Sequence, residues 1–537
     1  MSAQAVHPGG GRPPAGPGPL AVSAANPRYF TAQSGDGAGQ QLVYLTGSHV
    51  WNNFHDGLGP GRDCAGTPER NDYSAYLNFL VVHGHNFIRL WRWEHFVSTI
   101  PGFHLCMTPQ PWPRTGPGLA SDGKPRFDLS AFDRAYFDRL RHRVSTAGER
   151  GIYVSVMLFE GFGLHLSESP NSLAGHPFAE GNNTNGIGIS SPGDYQSLEA
   201  HNSVIEFQKA YIREVVDSVA DLPNVLYEVA NEAWTGSVGW QYWVITYLKQ
   251  YETAMGYGSR PVGMTFVYPD PGKNAALFQG PADWVSPGYE ERYRDDPWLL
   301  DPPANNGTKV VLSDTDHYAA GEGDAVWAWK TFLRGHNPLL MDFGIVDVVT
   351  PLVSGLGVAS YDSFEPARYA MGDTLRYARA VPLITMEPHG ELSSTRYALA
   401  APGNEYLILQ PADPPRPFGV TLAPGRYAAT WYSLGARSTK DAGTVTVRGS
   451  QAATNFAAPF ETGAAVLHLR RAEPTAARTA GGTRYAPRPA GMTGRDVGVG
   501  LVSACAAAML ALRHPAAAYA RNGPTRQSEI MERSWSQ

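Results

Sequence analysis

The sequence predicts an α/β fold, a (β/α)8 TIM barrel followed by a C-terminal all-β sandwich domain. Three observations lead there. Short apolar runs alternate with segments whose apolar residues recur at helical spacing, the pattern of parallel strands buried on both faces and covered by helices. Eight such units fit into about 350 residues, which favours a closed barrel over an open doubly wound sheet. After Pro388 the helical spacing stops, and short β runs divided by Pro and Gly take over, as in sandwiches.

Taken in order, residues 1–25 are Pro/Gly-rich and are expected to be a disordered leader. Gln41–His49 suits the first barrel strand, with His49 and Trp51 at its mouth. Tyr73, Tyr76, Leu77, Leu80 and Val81 mark a helix that Gly84 ends. Asn86–Glu94 follows as the second strand, with Arg89 inside it, Trp91 and Glu94 towards its end, and a long rim loop over 96–127. A helix over about 130–150 leads to strand three at Ile152–Phe159, which finishes in Glu160. The helix through Val204–Val219 precedes strand four, Val225–Ala230, which ends abruptly in Asn231-Glu232 before Trp234. Helix Val238–Met255, strand five at Val262–Tyr268 and a short sixth strand at Trp284–Ser286 come next. Lys309–Ser313 makes strand seven, running into Asp314-Thr315-Asp316-His317, and Pro338–Phe343 makes strand eight before a final helix near 364–380. The expected domains are therefore a barrel over 26–388, a sandwich over 389–471 and a low-complexity tail over 472–537.

Composition excludes several classes. With 43 Lys+Arg against 49 Asp+Glu, the formal net charge is -6, and no basic run or stripe suggests nucleic acid. No glycine-rich dinucleotide turn or P-loop follows an early strand. The start lacks an apolar signal core, which points to the cytoplasm unless an export signal lies outside this start site. Val497–Leu512 is apolar but shorter than the ~20 residues a membrane helix needs, so no membrane partner is expected. Cys64, Cys106 and Cys505 are too widely spaced to suggest a disulfide framework or a zinc site. The chain is rich in aromatics, with 13 Trp and 26 Tyr, whose faces stack on sugars but also fill cores.

The chemistry gathers at the ends of the strands, where barrel enzymes place it. Glu232 ends strand four, Asp314 ends strand seven, and Asp316 points to the same side two residues on. A Glu or an Asp pair capping the following helix would look alike in sequence. A metal held by His49, His55, Asp316 and His317 is a further alternative, although no H-E-x-x-H or similar ligand spacing supports it. Arg89 lies in an apolar strand and must find acidic partners.

Asn231-Glu232 at the end of strand four resembles the acid/base motif of the large (β/α)8 glycoside hydrolase clan that includes cellulases, mannanases and β-galactosidases. Arg89 is similar in position to the arginine that supports the catalytic carboxylate in many members. Strand seven departs from the pattern, with Asp314 where the clan has Glu. Tyr29-Phe30, Thr46-Gly47-Ser48 before Trp51, Asn86–Trp91 and Tyr397–Tyr406 are similar to a bacterial cellulase-like group with a C-terminal β-sandwich described as collagen-binding. Characterised relatives in that group act on plant-wall side-chain sugars such as apiose.

The resemblance implies a glycosidase acting on a plant or bacterial glycan without a cofactor, most simply by retention. Glu232 is then the general acid/base, with Asp314 or Asp316 as nucleophile or base. Asn231, Arg89, His49, Trp51, Trp91, Glu94, Glu160, Trp234 and His317 are candidate groups for binding and orienting the carbohydrate. The missing Glu leaves a second reading open, a carbohydrate- or matrix-binding protein on a barrel that has lost turnover.

Overall fold

The computed structural model describes residues 18–33, 39–58, 64, 66, 70–100, 103–165, 172–268, 272–345 and 361–472. Eight parallel strands form the barrel: β1 (Gly47–His49), β2 (Phe87–Leu90), β3 (Tyr153–Glu160), β4 (Val225–Asn231), β5 (Val262–Thr265), β6 (Trp284–Ser286), β7 (Val310–Asp314) and β8 (Asn337–Met341). They pair in sequence order, with β8 returning to β1. All eight residues of β3 and all seven of β4 are buried, as strands covered by helices must be. The helices include α1 (Tyr73–Val82), α2 (Arg134–Gly148), α3 (Asn202–Val219), α4 (Val238–Met255), α5 (Ala275–Gln279), α6 (Pro297–Leu300), α7 (Ala325–Leu333) and α8 (Glu365–Ala380), with further single turns at Phe162–His165 and Asp316–Ala319. Among the described residues, no helix is long and apolar enough to cross a membrane.

The ring closes between β1 and β2 through Asn86. Its backbone N–H donates to the Thr46 carbonyl at 3.0 Å, and its side-chain Oδ1 accepts from Thr46 N at 2.9 Å. The two backbones come so close that a Cβ on Gly47 would sit 2.1 Å from the Phe87 carbonyl oxygen. No side chain fits there.

The amino end of the barrel is plugged. Leu20–Val22, Phe30–Gln33 and Gln40–Val43 form an antiparallel sheet. Its Leu20, Phe30 and Ala32 join Phe87, Tyr153, Leu226, Trp284 and Val310 in one buried cluster. Those barrel residues stand at or next to the starts of their strands, so the open end is the carboxyl end.

Several expectations need correction. Leu20–Val22 is a strand within the stretch expected to be a disordered leader, while residues 1–17, the tail beyond 472 and Val497–Leu512 lie outside the described residues. Gln40–Val43 belongs to the plug rather than to the first barrel strand. The rim over 96–127 is not a plain loop. Val97–Ile100 and Asp56–Leu58 both pair with Phe103–Thr108, and Arg114–Leu119 forms a hairpin with Pro125–Phe127. That pairing sets Leu58 opposite Cys106 and brings Cys64 into a disulfide with it, Cα to Cα 5.6 Å. Spacing along the chain had argued against any such bond.

The C-terminal region is antiparallel. Glu387–Pro388, β9 (Ala398–Ala401), β10 (Glu405–Gln410), β12 (Gly425–Ser433), β13 (Ser438–Val447) and β15 (Ala465–Arg471) build one sheet, and β11 (Phe418–Leu422) pairs with β14 (Ala452–Phe456) in another. Ile408, Val420, Trp431 and Leu467 are among the residues filling the core between them. This region joins the barrel at α8, where Asp373 accepts from Tyr432 Oη and, at 3.0 Å, from Arg437 Nε. Tyr432 also packs beside Trp329 of α7.

The closure between β1 and β2 makes a testable difference between glycines. Gly47→Ala is expected to lower the urea midpoint by an amount worth about 1–3 kcal/mol or more, as overpacking does. Gly239→Ala, in α4 with nothing within 4 Å of the added methyl, should be neutral or stabilising by up to about 1 kcal/mol.

Candidate active site

Strand β4 delivers Asn231 and Glu232 to the open end. Glu232 leaves the strand with φ +42°, a left-handed conformation that a non-glycine residue holds only when its surroundings enforce it. Gly161, just after β3, supplies the enforcement. Its N–H donates to the Asn231 carbonyl at 2.8 Å. A Cβ there would lie 2.2 Å from the Glu232 carbonyl oxygen, so the backbone of Glu232 rests directly on glycine.

Beneath the pair lies Arg89 of β2, fully buried. Its Nε and Nη2 donate to the two Glu228 oxygens at 2.9 and 2.5 Å, and Nη2 also donates to Asn231 Oδ1 at 2.7 Å. Nη1 donates to Asp314 Oδ2 at 2.8 Å and lies 3.5 Å from Asp316 Oδ2. The Trp91 ring stands 4.9 Å from the guanidinium carbon and stacks on His49 at 5.9 Å. Burial works against the guanidinium charge, but Glu228 and Asp314 more than offset it and keep Arg89 ionised.

His317 fixes the other side of Asn231. Burial holds the imidazole well below its usual range, with the Arg89 charge adding to the effect, so the ring is neutral. Ser286 Oγ lies 2.8 Å from Nδ1, and Nε2 lies 3.2 Å from Asn231 Oδ1. Because Oδ1 accepts from Arg89, the proton belongs on Nε2 and Ser286 donates to Nδ1. Asn231 Nδ2 is then left as the donor on the open side.

The carboxyl groups differ sharply. Burial opposes the Asp314 charge, but His49, whose Nε2 is 2.7 Å from Oδ2, and Arg89 hold its carboxyl well below the usual range. Asp316 is pushed up to about 6 by burial and by the Asp314 anion. Glu232 is pushed well above the carboxylate range by burial, then by Asp316 and Glu160, with Arg89 opposing. Glu160 rises to about 8, chiefly from burial, although it accepts from Gly163 N at 3.1 Å. One end of this site stores protons and the other stays anionic, an arrangement suited to acid–base work.

Most expected residues converge. Trp51 Nε1 donates to Asp316 Oδ1 at 3.4 Å. Glu94 lies a step further out, accepting from Tyr195 Oη at 2.8 Å and Glu160 N at 3.1 Å and pairing with Arg92 at 3.1 Å. Trp234, partly exposed, donates its backbone N–H to Gln196 at 2.8 Å on the rim. His55 stays apart, its Nε2 accepting from Trp93 N at 3.0 Å. Among the described residues, no group of three or more His, Cys, Asp or Glu is arranged to hold a metal ion.

This barrel has counterparts among solved proteins. A glycoside hydrolase shares the fold with a TM-score of 0.54 at 13% identity, over 84% of this chain and 97% of that one. A glycoside hydrolase family 5 protein from Bacteroides vulgatus gives 0.54 and 13% over 84% and 93%. At this identity the likeness establishes the barrel and its added β region. A family model described as a domain of unknown function (DUF6298) matches residues 106–264, and no curated protein matches.

Sequence reasoning missed Glu228, Ser286, Gly161, Tyr268 and Tyr293. Glu228 carried a visible signal, a carboxylate inside an apolar strand three residues before Asn231, matching the demand of Arg89 for acids. Tyr268 and Tyr293 lie near Glu232, and burial, joined at Tyr293 by the Asp316 carboxylate, holds their hydroxyls protonated. Tyr268 ends the run expected as strand five and pairs there with Trp234, whereas Tyr293 lies in a stretch with no periodic signal.

Arg89→Met should destabilise the fold by about 3–5 kcal/mol near neutrality, because buried carboxylates lose their cation. Without Arg89 the carboxyls titrate higher in the folded than in the unfolded state. The loss should therefore shrink as pH falls to about 4 and they take up protons. Denaturant titrations of both proteins across pH check this.

Proposed function

We propose that this protein is a glycoside hydrolase that cleaves glycosidic bonds in a plant or bacterial polysaccharide or oligosaccharide. The observation carrying the reading is the pairing of a proton-holding Glu232 with an anionic aspartate pair across the same barrel mouth. Two carboxyl groups in opposite protonation states are what glycoside hydrolysis requires. The solved proteins with this fold, named glycoside hydrolases, support it.

Glu232 donates its proton to the departing glycosidic oxygen, and an aspartate of the β7 end attacks the anomeric carbon or activates water. Glu232, now ionised, takes a proton back when water completes the reaction. Asn231 Nδ2 donates to a sugar hydroxyl beside the reacting carbon. Trp51 and Trp234 offer apolar faces to the ring C–H groups, Trp91 backs Arg89 and His49, and Glu160 offers a protonated carboxyl as a hydrogen-bond donor. His49, Arg89 and His317 hold these groups in place, and Glu94 holds Glu160. The scheme needs no cofactor. The β-sandwich props the barrel at α8.

Hydrolysis of a panel of aryl glycosides and plant glycans tests the proposal. Wild type should turn over at least one member, and Glu232→Gln should lose about 10²–10⁴-fold in kcat. Activity should fall at alkaline pH as Glu232 loses its proton, and that limb should vanish in Glu232→Gln. Glycan binding without turnover, unchanged by Glu232→Gln, would instead establish a binding protein on a hydrolase barrel.

A further inference from the structure

We infer that Asp316, rather than the strand-ending Asp314, is the carboxylate that attacks the sugar, and that Asp314 is a positioning anion. The inference rests on the hydrolase reading and refines it. It comes from a count of lone pairs. Asp314 Oδ2 faces Arg89 Nη1 at 2.8 Å and His49 Nε2 at 2.7 Å, while its Oδ1 accepts from the Asp316 N–H at 3.0 Å. Each oxygen accepts a hydrogen bond, Oδ2 from Arg89 and Oδ1 from the Asp316 N–H, and the side chain is 0% exposed. A carboxylate tied down at both oxygens is the poorer nucleophile of the two.

Asp316 is held loosely by contrast. Oδ1 has Trp51 Nε1 at 3.4 Å, and Oδ2 has Arg89 Nη1 at 3.5 Å and His317 Nε2 at 3.7 Å. These contacts aim the group without consuming it. Its side chain is 3% exposed, against 0% for Asp314. Asp316 is also the strongest charged neighbour of Glu232, ahead of Glu160 and Asp314, so it is the partner carboxyl on the Glu232 side.

The local chain geometry explains how this arises. Asp314 ends β7, and Asp316 opens a one-turn helix, Asp316–Ala319. The Asp316 N–H bonded to Asp314 Oδ1 folds the chain back over the strand end. Asp at 314 is one methylene shorter than Glu, so its carboxylate stays down with Arg89 and His49. The second Asp, carried by the next turn, restores the reach. Tyr293 steadies this turn, accepting from Ala320 N at 2.7 Å and donating to the Asp316 carbonyl at 3.5 Å.

In the first step an Asp316 oxygen forms a bond to the anomeric carbon as the glycosidic C–O bond breaks, and the Glu232 proton goes to the leaving oxygen. In the second, water gives a proton to Glu232 and its oxygen displaces Asp316, which leaves as a carboxylate.

The test is covalent trapping in the wild-type protein with a panel of 2,4-dinitrophenyl 2-deoxy-2-fluoroglycosides, the ester then located by fragment mass spectra of the labelled peptide. Asp316 is expected to carry it. An ester on Asp314 overturns the assignment while leaving the hydrolase reading intact. No ester, with turnover of the panel glycans, overturns the covalent step, and neither ester nor turnover overturns both. Kinetics add an independent check. The acidic limb of wild-type kcat/KM should fall near pH 6, where Asp316 takes up its proton. In Asp314→Asn the limb should move to lower pH, because the neighbouring anion is gone. Azide should restore about tenfold or more of the rate lost in Asp316→Gly and none of that lost in Asp314→Gly.

Discussion

The site depends on one buried guanidinium. Among the described residues, Arg89 alone reaches Glu228, Asp314 and Asp316 together. A buried charge is tolerated only when closely paired, and here one charge must serve several acids. Glu228 takes two of its N–H groups and Asp314 a third. Those bonds sustain the anions beside it. Further from Arg89, burial drives the acids towards the neutral form. Glu232 and Glu160 are those acids.

Such a network needs a frame that cannot relax, since water entering it would level the differences between the acids. The barrel supplies that frame from below. The N-terminal sheet seals the amino end, and Asn86 locks β1 to β2 where the backbones are closest. Arg89 and Glu228 then stand on either side of β3 in a closed ring. Above them, Gly161 holds Glu232 in a conformation it would not otherwise keep. Burial raises the Glu232 pKa only because its backbone cannot swing the carboxyl out to solvent.

How much of this was legible in the sequence follows from what each feature depends on. The strands and helices of the barrel were, because burial on one or two faces imposes a period that a single chain displays. Trp284–Ser286 and Val238–Met255 emerge with their expected limits. Arg89 announced its need for acids, and Asn231-Glu232 stood out as a polar end to an apolar run. The rim was not legible. Phe103–Thr108 forms a hairpin with Val97–Ile100, but its other edge pairs with Asp56–Leu58, more than forty residues earlier, and the Cys64–Cys106 bond lies beside that distant pairing. Neither leaves a local pattern, and the Pro and Gly around them suggest a loop. Leu20–Val22 was hidden similarly, its order coming from Phe30–Gln33 rather than from its own composition.

The Asp-Thr-Asp end of β7 carries one acid on the strand and the next on the turn that follows it. Shortening an acid by one methylene withdraws its carboxylate from the open side and places it within reach of the buried cation. It then becomes a fixed negative charge, with an oxygen free to accept from the backbone two residues on. That acceptance turns the chain and lifts the next acid towards the mouth, where the fixed charge beneath raises its pKa. A short acid at 314 thus accounts for both the low-titrating Asp314 and the looser, higher-titrating Asp316. The reach that the shorter side chain lacks is recovered by the backbone turn after it.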